Sequence, residues 1–282
     1  MTASGIEAAA TAGAEPEGEE VACENPSDGE PLKAPAAAVP PGQLPPSPDR
    51  RPTAVAGTKP GLARRLLRIF LFCFAATLVI TLFYRLVPPP ITPLMVIRLV
   101  EGEGLTKDWR SYADISPNLA RAVITSEDSL FCTHNGFDWG ALDKAWERNQ
   151  RSKHILGGST ISNQTAKNVF LWPDRTYIRK AFEFYFTVLI EALWGKKRIL
   201  EVYLNVVEWG HGVYGAEAAS RLYFRKPARD LTRHEAALLA AILPNPRRWS
   251  ASKPSAYIRG RAGTIEARMP ATTDPSGDPC KS

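Results

Sequence analysis

The sequence predicts a mainly helical domain held behind a single N-terminal transmembrane helix. Two observations lead there. An apolar run of about 22 residues, Leu66 to Val87, would form a helix of roughly 33 Å, long enough to cross a bilayer. Beyond it, apolar residues return at helical spacing in one segment after another, from Leu119 to Leu243.

In chain order, residues 1–58 come first. They hold nine acids against three bases, are rich in Pro, Ala, Gly and Glu, and contain no aromatic residue. Such a segment cannot bury enough apolar area to offset its ordering entropy, so it is expected to be a disordered tail. Its net charge is −6; against +6 for the whole chain, the remainder carries +12. That balance fits an anionic partner, whether a membrane surface, phosphate or nucleic acid. Lys59, Arg64, Arg65 and Arg68 precede the uninterrupted apolar stretch Ile69 to Tyr84 within the run, and Arg85 follows it, before Pro88-Pro89-Pro90. The positive-inside rule then makes 1–58 cytoplasmic, 66–87 the span and 92–270 an extracytoplasmic domain, with 271–282 a second disordered tail. The run starts too far in, and lacks the small-residue cleavage site, for a secretory signal peptide.

Within the domain, Ser116-Pro117 reads as an N-cap with proline at the first helical position, opening a helix that faces a core through Leu119, Val123 and Ile124. That helix runs out near Ser126, ahead of Asn135-Gly136. Glu127 is thus placed at a helix C-terminus, where the macrodipole and apolar neighbours raise its pKa toward the range useful for proton transfer. An isolated Glu-Asp pair at a turn would, on base rates, be a surface acid. Further helices are expected over Arg179–Trp194, Lys197–Asn205 and Ala216–Phe224. Another opens at the capping box Thr232-x-x-Glu235 and ends at Pro244; it is apolar almost all round, as a core helix would be. Cys23, Cys73, Cys132 and Cys280 are scattered and read as no disulfide framework, and no Cys-x-x-Cys or His cluster indicates a metal.

Four patches could carry chemistry. The first surrounds Glu127. The second, Gly157-Gly158-Ser159-Thr160-Ile161-Ser162-Asn163-Gln164-Thr165-Ala166-Lys167-Asn168, is a glycine turn into a helix whose N-terminus, hydroxyls and Lys167 would suit an anion. The third sets Arg175, Arg179 and Lys180 before Glu183; its plain reading is an exposed i,i+4 ion pair between Arg179 and Glu183. The fourth, Tyr203 to Gly215, reads as a glycine-rich turn between helices. Two carboxylates separated by cations are what glycosyl transfer from a phosphate-linked donor needs: one acid as base, and fixed positive charge for the leaving phosphate.

Together the patches resemble the peptidoglycan glycosyltransferases, the family of the glycosyltransferase domain of class A penicillin-binding proteins and of the monofunctional biosynthetic transglycosylases of Gram-negative bacteria. Glu127-Asp128-x-x-Phe131-x-x-His134-x-Gly136-x-Asp138, Gly157-Gly158-Ser159-Thr160-Ile161 with Gln164-x-x-Lys167-Asn168, Arg179-Lys180-x-x-Glu183, and Arg198-x-x-Glu201-x-Tyr203-Leu204-Asn205 match its motifs in order, from about Met95 to Tyr257. Asn163 and Thr165 depart from the usual Gln and Leu. The resemblance implies a lysozyme-like helical fold that polymerises lipid II in the inner membrane, with Glu127 as base and Glu183 as second acid. It implies that Lys167 and Arg175 hold the pyrophosphate, with Arg179 and Lys180 beside them, and that Ser159, Gln164 and Asn168 contact the donor. A mobile apolar segment, here Trp139 to Leu156, would dip into the bilayer. No cofactor is required, and stimulation by a divalent cation is left open. The partners are lipid II, the growing glycan and the inner membrane, with cell-wall synthesis or division proteins as further candidates and no nucleic acid. Ser250-x-x-Lys253 stands without the other penicillin-binding motifs, so no transpeptidase is expected. The rival readings are a lysozyme-like hydrolase and a non-catalytic membrane-anchored scaffold.

Overall fold

A computed structural model describes residues 61–151, 158–174, 176–269 and 280. The tail expected over 1–58, and all of 271–282 except Cys280, lie outside the described residues. Helix α1, Leu62–Leu86, starts four residues before the expected span. Its 25 residues, with an 18-residue stretch of mean hydropathy 2.4, are long and apolar enough to cross a membrane, and only 6% of that stretch is buried. Its C-terminal half is fastened to the domain. The Trp194 indole N–H donates to Thr81 O at 2.8 Å, Arg198 Nη2 donates to Tyr84 O at 2.8 Å, and the Thr77 and Tyr185 hydroxyls lie 2.6 Å apart.

After the Pro88–Pro90 stop come α2 (Pro93–Val100), α3 (Pro117–Glu127), α4 (Trp139–Arg151), α5 (Ile161–Phe170), α6 (Tyr177–Leu193), α7 (Lys196–Val206) and α8 (Ala216–Phe224). The last two helices are α9 (Arg233–Ile242) and α10 (Ala256–Arg268). The chain is mainly α, as its periodicity predicts. Two caps are as read from the sequence, Ser116 accepting from Asn118 N and Thr232 forming a full capping box with Glu235, and Thr160 caps α5 by accepting from Asn163 N. Helix α9 is buried from Ala236 to Ile242 and packs against α3 and α10, so the all-round apolar helix is the centre of the core. Helices α5, α6 and α7 pack on one another as a second group.

Three features depart from expectation. The glycine-rich turn is a small sheet: β2 (Glu208–Gly210) pairs antiparallel with β3 (Val213–Tyr214), which pairs parallel with β1 (Thr106–Lys107). Gly212 turns this hairpin at φ +64°, and a Cβ there would stand 2.2 Å from Glu103 O, so no side chain fits. Helix α10, capped by Ser255, occupies a stretch that the periodicity leaves blank. Finally, Cys132 and Cys280 form a disulfide across 148 residues, with Cα atoms 5.1 Å apart. The scattered cysteines therefore do include a structural pair, and the C-terminal tail is tied down at Cys280.

Candidate active site

Glu127 is the last residue of α3, and only 13% of its side chain is exposed. Burial raises its carboxyl pKa; a hydrogen bond from Gln164, then the charges of Arg261 and Lys167, pull it back, while Asp128 pushes it up. Gln164 Nε2 donates to Glu127 Oε2 at 3.1 Å, and Gln164 Oε1 accepts from the Tyr203 hydroxyl at 3.1 Å. Tyr203 is fully buried and its pKa is pushed well up by burial, so it stays protonated and can only donate to Gln164. That fixes the amide's orientation and leaves Glu127 Oε2 as an acceptor. The chain Tyr203–Gln164–Glu127 thus holds a carboxylate ready to receive a proton on its other oxygen, with Arg261 Nη2 4.0 Å from Oε1.

Asp128 has a different task. It accepts from Ile161 N at 3.0 Å and from His134 Nε2 at 2.9 Å, while His134 Nδ1 accepts from Gly136 N at 3.1 Å. The Thr160 hydroxyl donates to Gly136 O at 2.7 Å. These bonds sew the Asp128–Gly136 loop to the start of α5, setting Glu127 against Gln164. Gly136 sits at φ +92°, where a Cβ would meet Thr187 Cγ2 at 2.9 Å, so this close approach needs glycine. Lys196 completes the support, donating to His134 O and to Glu191, both at 2.7 Å.

Two depressions flank this wall. One, of about 280 Å³, is lined by Glu127, Ser159, Asp138 and Arg268. The other, of about 520 Å³, is lined by Gln164, Lys167, Asn168 and Arg179, and by Arg98 and Glu208. Lys167 has no hydrogen-bond or ion-pair partner among the described residues. Burial lowers its pKa, Glu183 and Glu127 raise it, and Arg179 and Lys180 lower it. Arg179 Nη1 lies 2.5 Å from Glu183 Oε2, and Lys180 occupies the other carboxylate oxygen. Glu183 is 3% exposed and Arg179 9%. The plain reading of this pair as an exposed surface contact is therefore overturned: it is a buried ion pair beside a cation with a free face. The arrangement can deprotonate a hydroxyl on one side and stabilise a departing anion on the other.

A sequence model of the family described as Transglycosylase matches residues 95–270, more than half of the chain. The chain belongs to the transglycosylase family. Proteins named biosynthetic peptidoglycan transglycosylase match it closely. That of Rhodospirillum centenum is 55% identical over 211 residues, covering 74% of this chain and 91% of the relative. That of Caulobacter vibrioides is 55% identical over 204 residues, 72% and 89%. One from Pseudomonas putida is 49% identical over 223 residues, 77% and 94%.

Most residues that the sequence singles out in this transglycosylase gather at the wall: Glu127, Gln164, Lys167, Asn168 and Arg179 line it or its larger cleft, and Ser159 lines the smaller one. Lys180 and Glu183 join through their ion pair. Arg175 lies outside the described residues, as do Gly157 and the end of the segment expected to be mobile. Of that segment, Trp139 and Trp146 on α4 are exposed. The fourth motif builds scaffold: Glu201 accepts from Tyr112 N at 3.1 Å, and Asn205 pairs with the backbone of Arg110 in both directions. Two residues escaped the sequence reading. Arg261 belongs to α10, whose one signal was the Pro254-Ser255 start. Tyr203 stood in a motif, but its contact with Gln164 spans 39 residues.

Proposed function

We propose that this transglycosylase polymerises lipid II into linear glycan strands. The single observation that carries the reading is a buried carboxylate, Glu127, held as an acceptor on the wall between two depressions, one of them lined by the unpartnered Lys167 with Arg179. The acceptor's 4-hydroxyl, entering beside Ser159 and Asp138, gives its proton to Glu127 as its oxygen attacks the donor's anomeric carbon. The bond from that carbon to the pyrophosphate oxygen breaks, and undecaprenyl pyrophosphate leaves with the electron pair, inverting the centre. Lys167, Arg175 and Arg179 receive the growing charge; Gln164 and Asn168 position the donor. Glu183 works through its charge: with both oxygens occupied by Arg179 and Lys180, it holds the cations in place.

Helix α1 supports a single-pass membrane anchor, and the charge bias around it supports a cytoplasmic N-terminus with the domain outside. The Cys132–Cys280 disulfide fits an oxidising compartment.

The test is incubation of the detergent-solubilised protein with labelled lipid II. Polymer is expected; its absence from well-folded protein refutes the reading. Cleavage of a lipid-free glycan, retained in Lys167→Ala, would favour a hydrolase instead.

A further inference from the structure

Among the described residues, ten buried side-chain nitrogens and oxygens lack a hydrogen-bond partner, and five of them belong to one cluster: Arg98 Nε, Glu103 Oε2, Glu208 Oε1, Tyr214 OH and Arg247 Nε. Arg98 lies 3.8 Å from Glu103, Arg247 pairs with Glu103, and Glu208 is the strand partner of Tyr214. Buried polar atoms are nearly always satisfied, and such a concentration marks a site under a demand other than folding.

The cluster opens onto the larger cleft, since Arg98 and Glu208 line it with Gln164, Lys167 and Arg179. The charges acting on Lys167 come from Glu183, Arg179, Lys180 and Glu127, and those acting on Glu208 from Arg98, Arg247, Glu103 and His211. Glu208 reaches the cleft from β2 and Lys167 from α5, and no hydrogen bond or ion pair joins the two among the described residues. The ladder is bulged between Glu208 and Gly210, and bulges re-aim the side chains they carry.

We propose that Glu208 is a substrate-binding residue that accepts a hydrogen bond from an uncharged group of the bound glycan, a hydroxyl or an acetamido N–H, in the cleft it shares with Lys167. Charge selects that class. A second phosphate would meet the carboxylates of Glu208 and Glu103, and an ammonium would meet the guanidinium groups of Arg98 and Arg247. A neutral donor group meets neither penalty, and a carboxylate is a stronger acceptor for it than a neutral oxygen. Arg98, held by Glu101 at 2.6 Å, is the positioning residue beside it. The assignment rests on the glycosyl-transfer reading of the cleft.

The experiment compares wild type, Glu208→Gln and Glu208→Ala as full-length protein. With lipid II, Glu208→Ala is expected to raise KM roughly tenfold or more, the usual scale for losing a hydrogen bond to a charged group, with kcat within about twofold. Glu208→Gln keeps an acceptor oxygen of the same reach and should stay within about threefold of the wild-type KM. A second arm needs no catalysis: titration with a phosphate-free N-acetylated tetrasaccharide, followed by NMR, should give saturable shifts in wild type and Glu208→Gln that Glu208→Ala weakens. A Glu208 that serves only the ion network would lower Tm in both variants and leave KM and the titration unchanged, which overturns the proposal. Equal impairment of Gln and Ala also overturns it, because the group recognised would then be a cation. If wild type binds the tetrasaccharide through Glu208 but makes no polymer, the transferase reading fails and the subsite stands.

Discussion

Glu127, as the proposed base, carries predictions for pH dependence and for stability alike. Its ordinary carboxyl value is near 4.5, and in the fold burial raises it. The proposed base works only when ionised, so kcat/KM should fall as pH drops through that raised value, at a higher pH than for an exposed carboxylate. Gln164→Leu removes the hydrogen bond that lowers the value, so the acid limb of the profile should move up in pH; an unmoved limb would assign the titration to another group. The same shift acts on stability. A carboxyl whose folded pKa exceeds its unfolded one is harder to ionise in the fold, so it costs stability as pH rises from the unfolded to the folded value and beyond. Glu127→Gln should therefore lower the polymerisation rate by about 10²–10⁴-fold while raising Tm at pH 7. That gain should vanish below about pH 4, measured by scanning calorimetry at both pH values. Lys167→Ala should cut kcat roughly a hundredfold with little change in Tm, the mark of a cation that acts on charge developing in the transition state.

The helices show what a sequence can and cannot disclose. Ser116, Thr160 and Thr232 announce their helices because a cap is a local event, one side chain meeting a backbone N–H two or three residues on. Thr232→Ala, which breaks a reciprocal box at the head of the apolar core helix α9, should cost about 1 kcal/mol and lower Tm by a few degrees without altering KM. Helix α10 was illegible because Gly260, Gly263 and Thr264 blunt its propensity, and its buried face is only Ile258, Ala262 and Ile265. The strands, two and three residues long, are too short to alternate visibly. The site was legible as four separate motifs. Its wiring was not, since Tyr203 to Gln164 to Glu127 is a path of side chains between three helices, and periodicity reports only which way each helix faces.

At the scale of the whole molecule, α1 is bound to the domain by hydrogen bonds at Thr81 and Tyr84 as well as by the chain itself. A reporter that fluoresces only in the cytoplasm, fused after Ser282, should stay dark; a bright fusion would reverse the proposed orientation. The disulfide at Cys132 and Cys280 also changes what counts as the chain. Every residue from 133 to 279 lies on a closed covalent ring that includes Gln164, Lys167, Glu183, Tyr203 and α10, while α1 and Glu127 hang from it as a stem. A protease that cuts this ring once opens it without releasing any part. After limited proteolysis at one bond in residues 152–157, non-reducing electrophoresis should show a single band of full mass, and the two fragments should separate only when thiol is added.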